Sequence, residues 1–139
     1  FKTVKEINPD FIIEKKTKTG YVKLSCPELT ATDIVRYEGE TGGLNRAVTV
    51  LNELAEHLQF KKMPASFFSY VPSPVIRRTG YLLDKVLDHQ GPAGELYERI
   101  LRNECSMRVT PLKTGKPALG YIADKKWGII VNTSIQIDE

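Results

Sequence analysis

Two cysteines, two histidines and one tryptophan in 139 residues leave little material for several kinds of chemistry. Cys26 and Cys105 show no paired spacing, so neither a disulfide framework nor a zinc ribbon is read, and a reducing compartment follows. A zinc site takes three or four ligands at typical spacings. His57 and His89 stand apart, each at what reads as a helix end, so no metal and no cofactor is expected. No apolar run approaches the ~18 residues that cross a bilayer, and no signal-peptide pattern opens the chain. The expectation is a cytoplasmic chain without membrane contact. The chain does not open on methionine, which points to a trimmed start. Internal repeats and low-complexity linkers are missing too, so residues 1–139 read as a single domain with one core.

What is present is an ordinary globular mixture, 41% hydrophobic and 27% charged, neither disordered nor fibrous. A net charge of +3, from 20 Lys+Arg against 17 Asp+Glu, does not by itself predict nucleic-acid binding. The distribution says more. Lys2, Lys5, Lys15, Lys16, Lys18 and Lys23 crowd the first 24 residues, against Glu6, Asp10 and Glu14. Lysines on a β-ribbon blunt its edges against unwanted pairing, and they can equally face phosphate; both readings stay open.

FKTVKEI and DFIIEKK are short, partly alternating runs separated by the turn signal Asn8-Pro9-Asp10, and GYVKL follows a second turn at residues 17–20. Three antiparallel strands are therefore expected before a helix that opens at SCPELTATDIVRY. Ser25 with Glu28 three residues on is a reciprocal capping signature, and Pro27 suits the first turn. GLNRAVTVLNELAEHL carries Leu44, Ala47, Val48, Leu51, Leu54, Ala55 and Leu58 at helical spacing. A short helix around residues 65–70 puts Phe67 and Phe68 in the core. Ser73-Pro74 starts another helix that stops near His89-Gln90-Gly91-Pro92, and AGELYERILRN makes a further one. MRVTPL reads as a strand. In the last segment Trp127, Ile129, Val131, Thr133, Ile135 and Ile137 alternate with polar residues, which predicts a strand with one face on the core. Strands at both ends of a helical middle predict an α+β fold: an antiparallel sheet made by the N-terminal hairpin and the C-terminal strand, packed on the central helices.

Catalytic material is thin. Gly42-Gly43 and Lys113-Thr114-Gly115-Lys116 are loop and turn, lacking the strand, helix and Ser/Thr of a phosphate loop. Glu28, Asp33, Asp84 and Asp88 supply carboxylates, and a Mg²⁺-dependent nuclease could be built on Glu28 and Asp33. Glu28 is accounted for as a cap, and Asp33 by a pairing with Arg36 three residues on. No catalytic residue is assigned and the chain is read as a non-enzyme. Arg77-Arg78 lie about 100° apart on a helix. One is expected to pair with Asp33 or Glu28, and the other to reach solvent, where a planar guanidinium can take phosphate. The candidate nucleic-acid set is Lys15, Lys16, Lys18, Arg77 and Arg78, for weak contacts to DNA or RNA.

SCPELTATDIVRY, GGLNRAVTVLNELAE, VIRRTGYLLDKV and the closing WGIIVNTSIQIDE, in that order and spacing, resemble the C-terminal domain of AbiEi-family antitoxins. The likeness runs from about Thr19 to the end. The resemblance implies a bacterial antitoxin of a type IV toxin–antitoxin system in abortive infection, a phage defence. Its partner gene would encode a nucleotidyltransferase toxin, countered without a stable complex between the two proteins. Family members usually add an N-terminal winged-helix domain that binds operator DNA and regulates transcription. Nothing before Ser25 reads as helix–turn–helix, so operator binding is not expected of these residues. The resemblance supplies no catalytic motif. The candidate antitoxin surface is the helical middle, with Arg46, Arg77 and Arg78.

Overall fold

The computed structural model describes residues 12–17, 20–39, 43–103, 108–113, 117, 119–133 and 135. The expected first strand, FKTVKEI, and Lys18 lie outside them. β1 (Ile12–Thr17) and β2 (Gly20–Ser25) form the expected antiparallel hairpin, in register from Ile12 opposite Ser25 to Thr17 opposite Gly20.

Because Ser25 is still paired in that ladder, it does not cap the next helix. α1 (Pro27–Arg36) is entered through Cys26, whose extended backbone makes no side-chain cap bond. The expected Ser25–Glu28 box is thereby corrected. Glu28 is buried, and its Oε2 accepts the backbone N–H of Gln59 at 2.7 Å, tying α1 to a loop far along the chain. Thr30 and Thr32 turn their hydroxyls back onto carbonyls one turn earlier, the usual recourse of threonine inside a helix.

α2 (Leu44–Leu54) buries Leu44, Ala47, Val48 and Leu51, the apolar stripe of its sequence. Two 3₁₀ turns, Ala55–His57 and Phe60–Lys62, lead to α3 (Ala65–Tyr70), where Phe67 and Phe68 meet edge to face at 5.2 Å in the core. α4 (Ser73–Tyr81) packs on α1. It runs on as a π-turn, Leu82–Val86, with Leu87 N–H bonded to Leu82 O across five residues. Such widened turns often mark working positions; this one buries Leu82, Leu83 and Asp84 together. Asp88, at φ 58, breaks the chain direction. α5 (Gln90–Arg102) then starts earlier than its sequence suggests, because Pro92 falls in the first turn, where no N–H is needed. It covers α4 and the turn at residues 60–62. Arg99 of α5 fastens that turn: its Nη1 donates to the carbonyls of Phe60, Lys61 and Met63, and its guanidinium lies 4.7 Å from the centre of the Phe68 ring.

The sheet departs from expectation. β3 (Thr110–Pro111), β4 (Ala123–Asp124) and β5 (Ile129–Ile130) make a mixed three-stranded sheet in the order β3-β5-β4, with β3 parallel and β4 antiparallel to β5. The closing strand therefore does not join the hairpin in one antiparallel sheet. The reason is direct: β5 has both edges filled, by β3 and by β4. The long strand expected over residues 127–137 is, among the described residues, only Ile129–Ile130. Trp127 and Ile129 are buried as their alternation requires, but Asn132, on the nominally polar face, is buried as well. Its side chain bonds both the N–H and the carbonyl of Lys113, which bends the segment out of strand.

Candidate functional site

The richest cluster of polar chemistry lies where VIRRTGYLLDKV, on α4 and the π-turn, meets the small sheet. Arg77 is 1% exposed. Its Nη1 donates to the carbonyls of Trp127, at 3.3 Å, and Gly128, at 3.0 Å, and its Nε to Ser73 Oγ. Half-buried Arg78 donates from Nε to Pro111 O at 2.9 Å and from Nη2 to Thr110 Oγ1. Burial pushes the Arg78 pKa down, and the nearby charge of Glu38 pulls it back up. Glu38, itself buried, takes Lys113 Nζ on both carboxylate oxygens at 2.9 Å. Two adjacent arginines thus fasten β5 and β3 to one helix.

Trp127 is the counterpart. Its ring packs against Gly80, so close that a methyl group added there would sit 2.1 Å from a ring carbon. Its Nε1 donates to Asp84 Oδ2 at 2.9 Å, and Tyr97 meets it edge to face at 5.3 Å. Lys126 Nζ also reaches Asp84 Oδ2, at 2.9 Å, and stands 5.1 Å from the centre of the Tyr97 ring. Asp124 Oδ1 accepts the Trp127 backbone N–H. Burial pushes the Asp84 carboxyl up, but the hydrogen bonds from Lys126, Trp127 and Gln90 and the charge of Lys126 outweigh it. The carboxyl is held below its ordinary value.

A depressed carboxylate adds stability above its ordinary pKa of 3.8, and that increment is lost as pH falls through the lower folded value. We expect Asp84→Asn to melt below the wild type at pH 7. The gap between the two should close as both are titrated down through the carboxylate range, followed by circular dichroism. A gap constant with pH would mean that ionised Asp84 is not the group holding Lys126 and Trp127.

The candidate residues land in different places. Arg77 and Arg78 come together on the sheet, but neither is the solvent-facing guanidinium expected of one of them; this is a correction. Backbone carbonyls of β-strands, invisible to a local helical reading, absorb them. Arg46 is exposed on α2. Lys15 and Lys16 lie in β1, in register with Val22 and Tyr21 of β2. Lys18 lies outside the described residues. The nuclease pair is dispersed in role: Glu28 is bonded to Gln59, while burial raises the half-buried Asp33 against the pull of Arg36. Arg36 stands 5.3 Å from the centre of the Tyr37 ring. Among the described residues no three His, Cys, Asp or Glu gather to hold a metal, and no described helix is long and apolar enough to cross a membrane. Sequence reading counted Asp84 only among the carboxylates of a possible Mg²⁺ site, and it passed over Lys126, Asn132 and the Glu38–Lys113 pair as parts of a site. A single aspartate inside the apolar run Leu82-Leu83-Asp84-Lys85-Val86-Leu87 was the available signal.

What the geometry defines is a helical α+β domain with a small mixed sheet clamped to its middle helix. The chain belongs to the AbiEi antitoxin C-terminal domain family, whose model matches residues 8–85. It is an antitoxin domain of the abortive-infection, toxin–antitoxin kind. The match takes in the hairpin, α1 to α4 and Asp84; Tyr97, β3 and Trp127 lie beyond it. No curated protein and no solved structure matches the chain.

Proposed function

We propose that residues 1–139 act as a single, non-catalytic domain that counters a nucleotidyltransferase toxin in the manner of a type IV system, without a lasting complex with that toxin. The family match over residues 8–85 carries the reading. Among the described residues, the buried Arg77 is engaged with backbone carbonyls and the buried Asp84 with Lys126 and Trp127. Produced from an unrelated promoter, the chain should rescue cells making the cognate toxin, and a pull-down between the two proteins should stay empty. No rescue by the folded domain, with rescue by a longer winged-helix form, would move the activity to that other domain.

A second reading, weak nucleic-acid binding, is favoured by Lys15, Lys16 and Lys23 on a two-stranded ribbon. Arg77 and Arg78 drop out of that set because the sheet holds them. Contacts to phosphate alone give affinities of about 10⁻⁴–10⁻⁶ M that fall steeply with salt. Titrating a labelled duplex at two salt concentrations should show this; tight, salt-insensitive binding to one sequence would contradict it.

A further inference from the structure

The fold uses only one edge of Arg99. The side chain is 8% exposed, and Nη1 alone makes its hydrogen bonds, to the carbonyls of Phe60, Lys61 and Met63. The opposite edge of a guanidinium is the fork of Nε–H and one N–H of Nη2, the pair that grips an oxyanion with two parallel bonds. In Arg99 that fork holds no described residue. Nε is buried without a hydrogen-bond partner, and Nη2 is unbonded too but not enclosed. A buried donor left unpaired carries its full desolvation penalty. The fork is also fixed in place, by the three carbonyls on Nη1 and by the Phe68 ring, whose centre lies 4.7 Å from Cζ.

The surroundings say which anion fits. Among the described residues no carboxylate pairs with Arg99. Glu95, one turn earlier on α5, gives Oε1 to the Lys61 N–H at 3.0 Å, and Glu98 is taken by Arg102. Lys61 and Lys62 stand on the turn that Nη1 holds. Both are exposed, and neither ammonium is paired among the described residues. Glu98 and Arg102 cancel, so Arg99, Lys61 and Lys62 stand against Glu95, a local excess of two positive charges. A phosphate monoester, at about −1.5 to −2 near pH 7, matches that excess; a carboxylate or a phosphodiester carries one charge. Because Nε is enclosed, the fork opens at its Nη2 end, which suits a terminal group rather than a chain running through.

We propose that the Nε/Nη2 fork of Arg99, with Lys61 and Lys62 on the adjoining 3₁₀ turn, is a binding site for the terminal phosphate of a small phosphate monoester. Two phosphate oxygens accept from Nε–H and Nη2–H, and the lysines supply charge from the surface. The site is distinct from the arginine pair on α4 and independent of the antitoxin reading.

The test is calorimetric titration of the whole chain with inorganic phosphate and with methyl phosphate, at constant ionic strength in an uncharged buffer. Both should bind saturably, while dimethyl phosphate and acetate should not displace them. Lys61→Ser/Lys62→Ser, altered only at exposed side chains, should melt with the wild type and weaken binding roughly fivefold, since exposed charges each add a modest increment. Arg99→Lys keeps the charge, loses the fork and should weaken binding roughly tenfold, the worth of one charge-assisted bond. Lys85→Ser, exposed on the π-turn, should bind as the wild type does. Unsaturable heats with the wild type overturn the proposal and leave Nε to a water molecule. So does unchanged binding in the lysine double variant, which decides the matter should Arg99→Lys not fold. Equal weakening by Lys85→Ser would reduce the effect to diffuse charge. Displacement by acetate or dimethyl phosphate would contradict the choice of a monoester.

Discussion

Gly80→Ala is expected to expel Trp127 and to destabilise the domain by about 3 kcal/mol, the upper end of overpacking costs and the lower end of losing a large buried aromatic. The sign makes this informative. In an open helix the same change stabilises by up to about 1 kcal/mol, because alanine restricts the unfolded chain and favours helix. At Gly80 the new methyl would stand 2.1–2.7 Å from three carbons of the indole, and the ring is tethered where it lies. Tyr97 meets the ring edge to face at 5.3 Å, its nitrogen is held by Asp84 and its backbone by Arg77. Gly94, exposed on α5 with nothing within 4 Å of an added Cβ, is the internal control. Gly94→Ala should raise the urea midpoint while Gly80→Ala lowers it, each read from a urea titration. Equal effects at the two sites would mean that the indole does not lie on Gly80.

Arg77→Met is expected to destabilise by about 3 kcal/mol, since it takes a charged donor from the buried carbonyls of Trp127 and Gly128, the second of which keeps the Thr110 N–H, and hydrogen bonds to charged groups contribute about 1.5–3 kcal/mol each. Methionine keeps most of the aliphatic volume, which separates the lost hydrogen bonds from a cavity. For a chain of this length the loss corresponds to a drop of roughly 10 °C in melting temperature. Arg46→Met, on the exposed side of α2, should leave the melt in place. Charge reversal at Arg77 is accordingly a folding experiment, and any loss of rescue it causes is to be read against the fraction of protein still folded.

These two residues also show where sequence reading succeeds and where it stops. The stripe of α2, the core placement of Phe67 and Phe68 and the inward side of Trp127 and Ile129 follow from periodicity, which is local. The helix cap failed because Ser25 is claimed by pairing with Ile12, a contact made across the hairpin. Arg77 and Arg78 were read as a carboxylate partner and a free cation, because a helix alone does not reveal that the carbonyls of residues 111, 127 and 128 arrive beside it. Asn132 looked like a solvent-facing residue of an alternating strand; its two bonds to Lys113 pull it inside. Sheet order failed for the same reason, since β3, β4 and β5 are two residues each and pair by position rather than by pattern. The family was legible as a run of motifs. The function of the arginine pair inside that run, holding a sheet that lies outside the matched residues, was not.

The chain has a single tryptophan, so the clamp reports on itself. Iodide quenching of Trp127 fluorescence, in the native protein and in Arg77→Met, tests most directly the claim that the small sheet is locked onto α4. The account predicts blue-shifted emission that iodide does not reach in the wild type, and a red-shifted, quenchable signal in Arg77→Met at denaturant concentrations where the wild type is still native. Emission from the native wild type that iodide quenches as readily as free indole would contradict it.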